Sequence, residues 1–84
     1  MKKLLKRNKQ KCYPLPEYYH NIVAVRDEQP NTFYPLLEVD DEAWKELLTK
    51  NIVTPVPLYF HSEKNKFKIW PEWNGEDIKI YKVV

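Results

Sequence analysis

The alternation of apolar and polar residues in the C-terminal third is the feature that most constrains the fold. Three segments, at about residues 55–60, 66–71 and 77–83, repeat this alternation. A period of two residues is typical of a β-strand that buries one face and exposes the other. Only short connections separate the segments, which favours antiparallel neighbours. We therefore expect a three-stranded antiparallel meander.

The register of this meander can be tested, because residues paired across an antiparallel ladder point to the same face. A loop over residues 62–65 places Phe60 opposite Phe67, so that apolar residues coincide. A turn over residues 73–76, which contains an Asn-Gly pair, aligns the second and third strands in the same way. The resulting apolar face consists of Val56, Leu58, Phe60, Phe67, Ile69, Ile78 and Ile80.

A helix over residues 41–50 is expected to cover this face. Asp40 is a suitable N-cap, and acidic residues follow it in the first turn. Upstream, residues 18–26 contain a short β-branched run that predicts a further strand, buried on both faces. The predicted fold class is α+β, a small two-layer domain of a meander packed on one helix. The apolar helix stripe consists of Ala43, Trp44, Leu47 and Leu48.

Charge divides the 84 residues into two parts. Residues 1–16 carry six basic side chains and no acid, whereas residues 17–84 carry eight basic and twelve acidic ones. Dense like charges resist compaction, so we expect a flexible basic arm, 1–16, before a single globular domain, 17–84. Such an arm can contact phosphates and release counterions, which predicts binding to nucleic acid or a nucleoprotein. The alternative is a tail that is solvated or docks on an acidic protein surface. The arm residues are Lys2, Lys3, Lys6, Arg7, Lys9 and Lys11.

The face of the meander opposite the apolar one combines rings with lysines. Single-stranded nucleic acid binds such faces, because bases stack on rings and lysines neutralise phosphate. The alternative is an ordinary solvated face, or one that residues 17–37 cover. The candidate nucleic-acid-binding residues on this face are Tyr59, Lys68, Trp70, Lys79 and Tyr81.

Trp70 and Trp73 flank the predicted turn after the second strand. Tryptophan is enriched among interface hot spots, so both are candidate anchors for a protein partner. Structural caps over the end of the sheet are the alternative. The chain is thus predicted to be a non-enzymatic binding protein, of a size common among viral and mobile-element accessory proteins. A protein-protein interaction module, such as an inhibitor or a structural subunit of a virion or complex, is the second hypothesis.

Several other functions are not expected. Cys12 is the only cysteine, which excludes an intrachain disulfide and indicates a reducing, cytoplasmic setting. Gly75 is the only glycine, so a glycine-rich phosphate loop is excluded. No catalytic motif, metal-ligand spacing, cofactor motif or long apolar run occurs, and we expect no enzyme activity, metal, cofactor or membrane partner. An exposed sheet edge makes a homo-oligomer by strand pairing a further expectation.

Overall fold

The computed structural model describes residues 2–19 and 21–83, which form two four-stranded β-sheets and one helix. Met1, His20 and Val84 lie outside the described residues. The parts of the predicted segments 1–16, 17–84 and 18–26 that fall on these three residues therefore stay predictions. In chain order the elements are β1 (Lys2–Leu5), β2 (Tyr13–Pro14), β3 (Ile22–Arg26), β4 (Tyr34–Pro35), β5 (Leu37–Glu38), α1 (Asp41–Leu48), β6 (Tyr59–Glu63), β7 (Lys66–Trp70) and β8 (Ile78–Val83).

The two sheets differ in strand direction. The first sheet has the order β1-β8-β3-β4, and all its neighbours are antiparallel. The second sheet has the order β2-β7-β6-β5, in which β5 runs parallel to β6 and the other pairs are antiparallel. The chain crosses from the first sheet to the second at Leu36, between β4 and β5, and that side chain is buried. The architecture is therefore α+β, with the helix added to two facing sheets.

The hydrophobic core draws side chains from both sheets. Phe67, the second residue of β7, is only 1 % exposed. Its ring stacks on Tyr13 at a centroid distance of 5.2 Å and meets Phe60 edge-on at 5.4 Å. Offset-stacked and edge-on pairs of this kind add to the stability gained from burial. The buried core cluster comprises Leu5, Tyr13, Ile22, Ala24, Leu36, Val56, Phe60, Phe67, Ile69, Ile78 and Ile80.

The predicted hairpin between the first two meander strands forms as β6 and β7, but β6 overlaps the predicted strand 55–60 only at residues 59–60, and the register is shifted by two residues. Phe60 pairs with Ile69 rather than with Phe67, and Glu63 pairs with Lys66 across a two-residue turn. The tighter turn is made possible by Lys64, which adopts the left-handed conformation at φ 57°. A shift by two residues preserves side-chain parity, so the apolar side chains still face the core.

The second predicted hairpin, between β7 and β8, does not form. The ladder of β7 ends at Trp70, and the next residue, Pro71, has no N–H to donate. Residues 71–77 carry the chain to the first sheet, where β8 pairs with β1 and β3. The meander is thus replaced by two sheets. The apolar set predicted for one face is shared between them, with Ile78 and Ile80 packing in the same core from the other side.

The expected strand upstream of the helix is present as β3. It occupies Ile22–Arg26, at the C-terminal end of the predicted range 18–26. Its first four side chains are all buried, as expected for a strand that is covered on both faces. The strand lies between β8, which pairs with all five of its residues, and β4, which pairs with Val23 and Ala24.

The helix forms where it was predicted but packs on the other side of the sheet. Asp40 caps it, accepting a hydrogen bond from the Ala43 backbone N–H at 2.9 Å, and the helix ends at Leu48 rather than at residue 50. No helical residue is buried. The inner face of β6 and β7 is already covered by the first sheet, so the helix lies on their outer face instead. Trp44 contacts that face by stacking on His61.

The described part of the expected flexible arm is folded into the domain. Lys2–Leu5 is an edge strand paired with β8, and Leu5 is buried in the core. Tyr13 and Pro14, near the end of the predicted arm, form β2 against β7. Cys12, which lies between β1 and β2, is buried. Burial of Leu5 and Tyr13, together with the ladder bonds, outweighs the repulsion between the lysines.

Candidate interaction surfaces

The predicted basic and aromatic face is divided between the two sheets. Tyr59, Lys68 and Trp70 lie on the outer face of the second sheet, whereas Lys79 and Tyr81 belong to β8 in the first sheet. Because the missing β7–β8 hairpin was the basis for joining them, they do not form one platform. Trp70 is also only 7 % exposed, and its ring packs against Tyr59 with centroids 6.0 Å apart.

Lys79 and Tyr81, the two candidate residues that lie in the first sheet, contact other side chains of the fold. The Lys79 ammonium group donates to both carboxylate oxygens of Asp27, at 2.7 and 2.9 Å. That hydrogen bond raises the pKa of Lys79 above its ordinary value. The Tyr81 ring lies under the Lys2 ammonium group, 4.6 Å from its centroid, and the same ammonium group is 5.3 Å from the Phe33 ring. Both lysines are therefore held against the first sheet.

Half of the predicted arm cations have partners in the domain. Besides Lys2, the Arg7 guanidinium donates to the carbonyl oxygen of Trp73. The Lys11 ammonium group lies 3.2 Å from the Glu72 carboxylate and donates to the Asn74 side chain at 3.0 Å. The remaining three, Lys3, Lys6 and Lys9, form no ion pair with any residue in 2–19 or 21–83.

A basic cleft lies between α1 and the outer face of the second sheet, with a volume of about 310 Å³. Lys45, Lys66 and Lys68 line it, beside the Trp44 and His61 rings. None of these lysines pairs with an acid in the described chain, although Asp41 and Glu63 also line the cleft. Of the predicted binding residues, only Lys68 belongs to this cleft. We name Lys45, Lys66 and Lys68 the basic cleft.

His61 holds α1 against this cleft. Its Nε2 is 3.0 Å from the Asp41 carboxylate, and its Nδ1 is 3.1 Å from the Val39 carbonyl oxygen. The Trp44 ring lies almost parallel to the imidazole, at a centroid distance of 5.4 Å. Both ring nitrogens and one ring face of His61 thus contact the helix or the residues before it.

An apolar groove of about 390 Å³ lies at the other end of α1. It is bordered by three strongly exposed apolar side chains, Leu48 at 61 %, Ile52 at 52 % and Val53 at 94 %. Such contiguous exposure is typical of interaction sites. Lys50, Asn51, Thr54 and Glu72 supply the polar part of its lining. We name its apolar lining, Leu48, Ile52, Val53, Trp70, Pro71 and Trp73, the apolar groove.

The two predicted partner-binding tryptophans both line this groove, but with different exposure. Trp70 is buried, whereas Trp73 is half-buried and packs against the core. The Trp73 indole N–H donates to the Asp77 carboxylate at 3.0 Å, and this hydrogen bond lowers the pKa of Asp77. Sequence reasoning missed Ile52 and Val53. Their signal was an apolar pair after the helix that belongs to no predicted strand.

A third cleft, of about 670 Å³, lies beside β1 and β8. Its walls carry basic and acidic side chains in equal number. The basic ones are Lys6, Arg7 and Lys79, and the acidic ones are Asp27, Glu76 and Asp77. Tyr13 also lines it, and burial raises the pKa of that phenol while the nearby Arg7 lowers it by a smaller amount. Because its charges balance, this cleft does not select strongly for ligands of either sign.

Residues 2–19 and 21–83 contain no group of three or more His, Cys, Asp and Glu side chains placed to hold a metal ion. Within the same residues, no helix has the length and apolar character needed to cross a membrane. Comparison with known proteins found no matching family model, curated protein or solved structure.

Proposed function

We propose that this chain is a protein-binding module whose main contact surface is the apolar groove. The observation that carries the proposal is the position of Leu48, Ile52 and Val53, which are more than half exposed and border one groove. Exposed apolar side chains gain free energy when a partner removes them from water. Trp73 lies in the same groove, and tryptophan is among the residues that contribute most to interface affinity.

Binding rather than catalysis is proposed because three polar side chains that are candidates for acid–base or nucleophilic chemistry have structural partners. Asp40 caps α1, and the Ser62 hydroxyl donates to the Glu38 carboxylate. His61 contacts Asp41 and the Val39 carbonyl oxygen, as described above. These contacts give Asp40, Ser62 and His61 structural roles in place of acid–base or nucleophilic ones.

Affinity capture from cells of the natural source tests this function. The tagged full chain is compared with Ile52→Asp, which places a charge in the apolar groove, and with Leu37→Asp as a matched control. Leu37 is 63 % exposed and lies on β5, outside the groove. We expect specific partners to be lost with Ile52→Asp and retained with Leu37→Asp. The same partners on all three baits would refute a role for the groove.

The basic cleft favours a second function, contact with single-stranded nucleic acid. Lys45, Lys66 and Lys68 have no acidic partner in the part of the chain that is described, and Trp44 stands beside them. Lysines near a ring supply the phosphate contacts and the stacking surface that single strands require. The arm contributes less to this proposal than the sequence predicted, because Lys2, Arg7 and Lys11 contact the domain.

Fluorescence anisotropy with labelled single-stranded DNA and RNA tests this second function. Lys68→Glu changes the basic cleft, and Lys3→Glu changes an arm residue on the other sheet. We expect Lys68→Glu to weaken binding at low salt and to reduce the slope of log affinity against log salt by about 0.7 for each lost contact. An equal effect of Lys3→Glu would assign binding to the arm, and no binding of the unmodified protein would exclude this function.

A further inference from the structure

Residues 51–54, which follow α1, have a backbone without internal partners. None of their N–H or C=O groups forms a hydrogen bond with a residue that the structure describes. The chain on either side is bonded, through Lys50 N–H to the Leu47 oxygen at 3.0 Å and Leu58 N–H to the Trp70 oxygen at 2.9 Å. The segment therefore presents unused donors and acceptors next to the apolar groove.

The composition of this segment suits a β-strand. Ile52, Val53 and Thr54 are β-branched, and such residues are enriched in strands. Thr54 precedes Pro55, which favours an extended backbone at Thr54. A segment with free backbone groups and exposed apolar side chains can bind another strand by β-addition when it adopts the extended conformation that these residues favour.

We propose that residues 51–54 of two copies of this chain pair as antiparallel strands and form a symmetric homodimer. This inference rests on the proposed function, because it names the protein that the apolar groove binds. In a two-fold arrangement the same surface serves both copies. Because successive side chains of a strand point to opposite faces, one of Ile52 and Val53 in each copy then contacts the apolar groove of the other. Leu48 and Trp73 lose exposed area.

The distribution of charge favours a second copy at this segment. Residues 51–56 contain no charged side chain, so two copies pair here without opposing like charges. If the pairing is centred on Ile52 or Val53, each Lys50 lies opposite an uncharged residue of the other copy. The edge strand β1 differs, because pairing two copies of it brings Lys2 and Lys3 of both into one short ladder. Lysines on an edge strand oppose such pairing.

Sedimentation equilibrium of the full chain tests the dimer. We expect a concentration-dependent mass that reaches twice that of the monomer, and a monomeric mass for Val53→Asp. Val53 is 94 % exposed, so this substitution leaves the fold of the monomer unchanged, which circular dichroism verifies. Leu37→Asp is the matched control and remains dimeric. A monomeric unmodified protein, or a dimer that Val53→Asp leaves intact, would overturn the proposal.

Disulfide trapping tests the register independently. Paired residues in an antiparallel ladder have Cα atoms about 4.5–5.5 Å apart, within the range that a disulfide spans. We expect Ile52→Cys or Val53→Cys to give a covalent dimer under mild oxidation, whereas Leu37→Cys does not. The unmodified protein, in which Cys12 is buried, is the negative control for covalent dimer formation. If the protein is monomeric but Ile52→Asp still abolishes capture of partners, self-pairing fails and the protein-binding function stands.

Discussion

The indole of Trp44 stacks on the imidazole of His61, with ring centroids 5.4 Å apart and planes 17° apart. Trp44 belongs to α1 and His61 to the outer face of β6, so this contact connects the helix to the second sheet. Because no helical residue is buried, α1 depends on a small number of contacts of this kind. The position of the helix then shapes both the basic cleft and the apolar groove.

We expect the Trp44–His61 contact to couple the two residues energetically. In a double-mutant cycle of Trp44→Ala, His61→Ala and the double variant, the coupling free energy should be about 0.5–1.5 kcal/mol, as for other ring pairs. Urea unfolding measures it. The same cycle with Leu48→Ala in place of Trp44→Ala is the control, and comparable coupling there would argue against a specific stack.

Removal of the central core ring should strongly destabilise the fold. Phe67→Ala deletes a 1 % exposed ring that contacts both Tyr13 and Phe60. We expect a loss of about 3–5 kcal/mol in the free energy of unfolding, which exceeds half the total stability of many small domains. Chemical denaturation measures the loss. Leu37→Ala, at an exposed site, should change stability by less than about 0.5 kcal/mol; similar losses for both would contradict the assigned core.

The hydrogen bond between Trp73 and Asp77 predicts a dependence of stability on acidic pH. The hydrogen bond from the Trp73 indole N–H is the main cause that lowers the pKa of Asp77 in the folded protein below 3.8, and a backbone hydrogen bond is the second cause. The stability it contributes is therefore present above pH 3.8 and lost as the pH falls through the folded value. Asp77→Asn retains an acceptor for Trp73 but does not titrate. We expect the stability difference between the two proteins to change below pH 3.8; parallel pH curves would refute this.

Burial of Tyr13 predicts a dependence at alkaline pH. Desolvation raises the pKa of its phenol above 10.0, and the nearby Arg7 only partly opposes this. The unfolded chain therefore loses this proton first, so the stabilising contribution is present below pH 10.0 and lost as the pH rises through the folded value. Tyr13→Phe keeps the ring that stacks on Phe67 and removes the titration. We expect the variant to lose less stability above pH 10.0, measured by urea unfolding; an equal loss would contradict the prediction.

The helix and the side-chain faces of the strands were predicted well because both depend on local sequence. Asp40 caps α1 through a hydrogen bond to a residue three positions away. Phe60, Phe67 and Ile69 point into the core even though the hairpin register is shifted by two residues. A register shift of two residues keeps each side chain on the same face of the sheet. The predicted set of core residues was therefore correct at these positions even though the predicted strand pairing was not.

The candidate surfaces were predicted less well, since they depend on which strands become neighbours. Lys68 and Lys79 were assigned to one face, yet they lie in different sheets. Ile52 and Val53 were not identified, because an apolar pair outside any predicted strand has no periodicity by which its exposure can be judged. Only the packing around them shows that they remain exposed.

The sequence by itself determined the capped helix, the two-residue alternation and therefore most of the apolar residues that form the core. The tertiary structure decided that β8 joins β1 and β3, that the helix lies outside the second sheet and that β1 is a strand. These outcomes depend on contacts between distant parts of the chain, such as Leu5 opposite Ile80. Backbone pairing is chemically similar for every strand, so local pattern cannot choose the partner. Burial of Leu5, Ile80 and Phe67 in one shared core makes that choice.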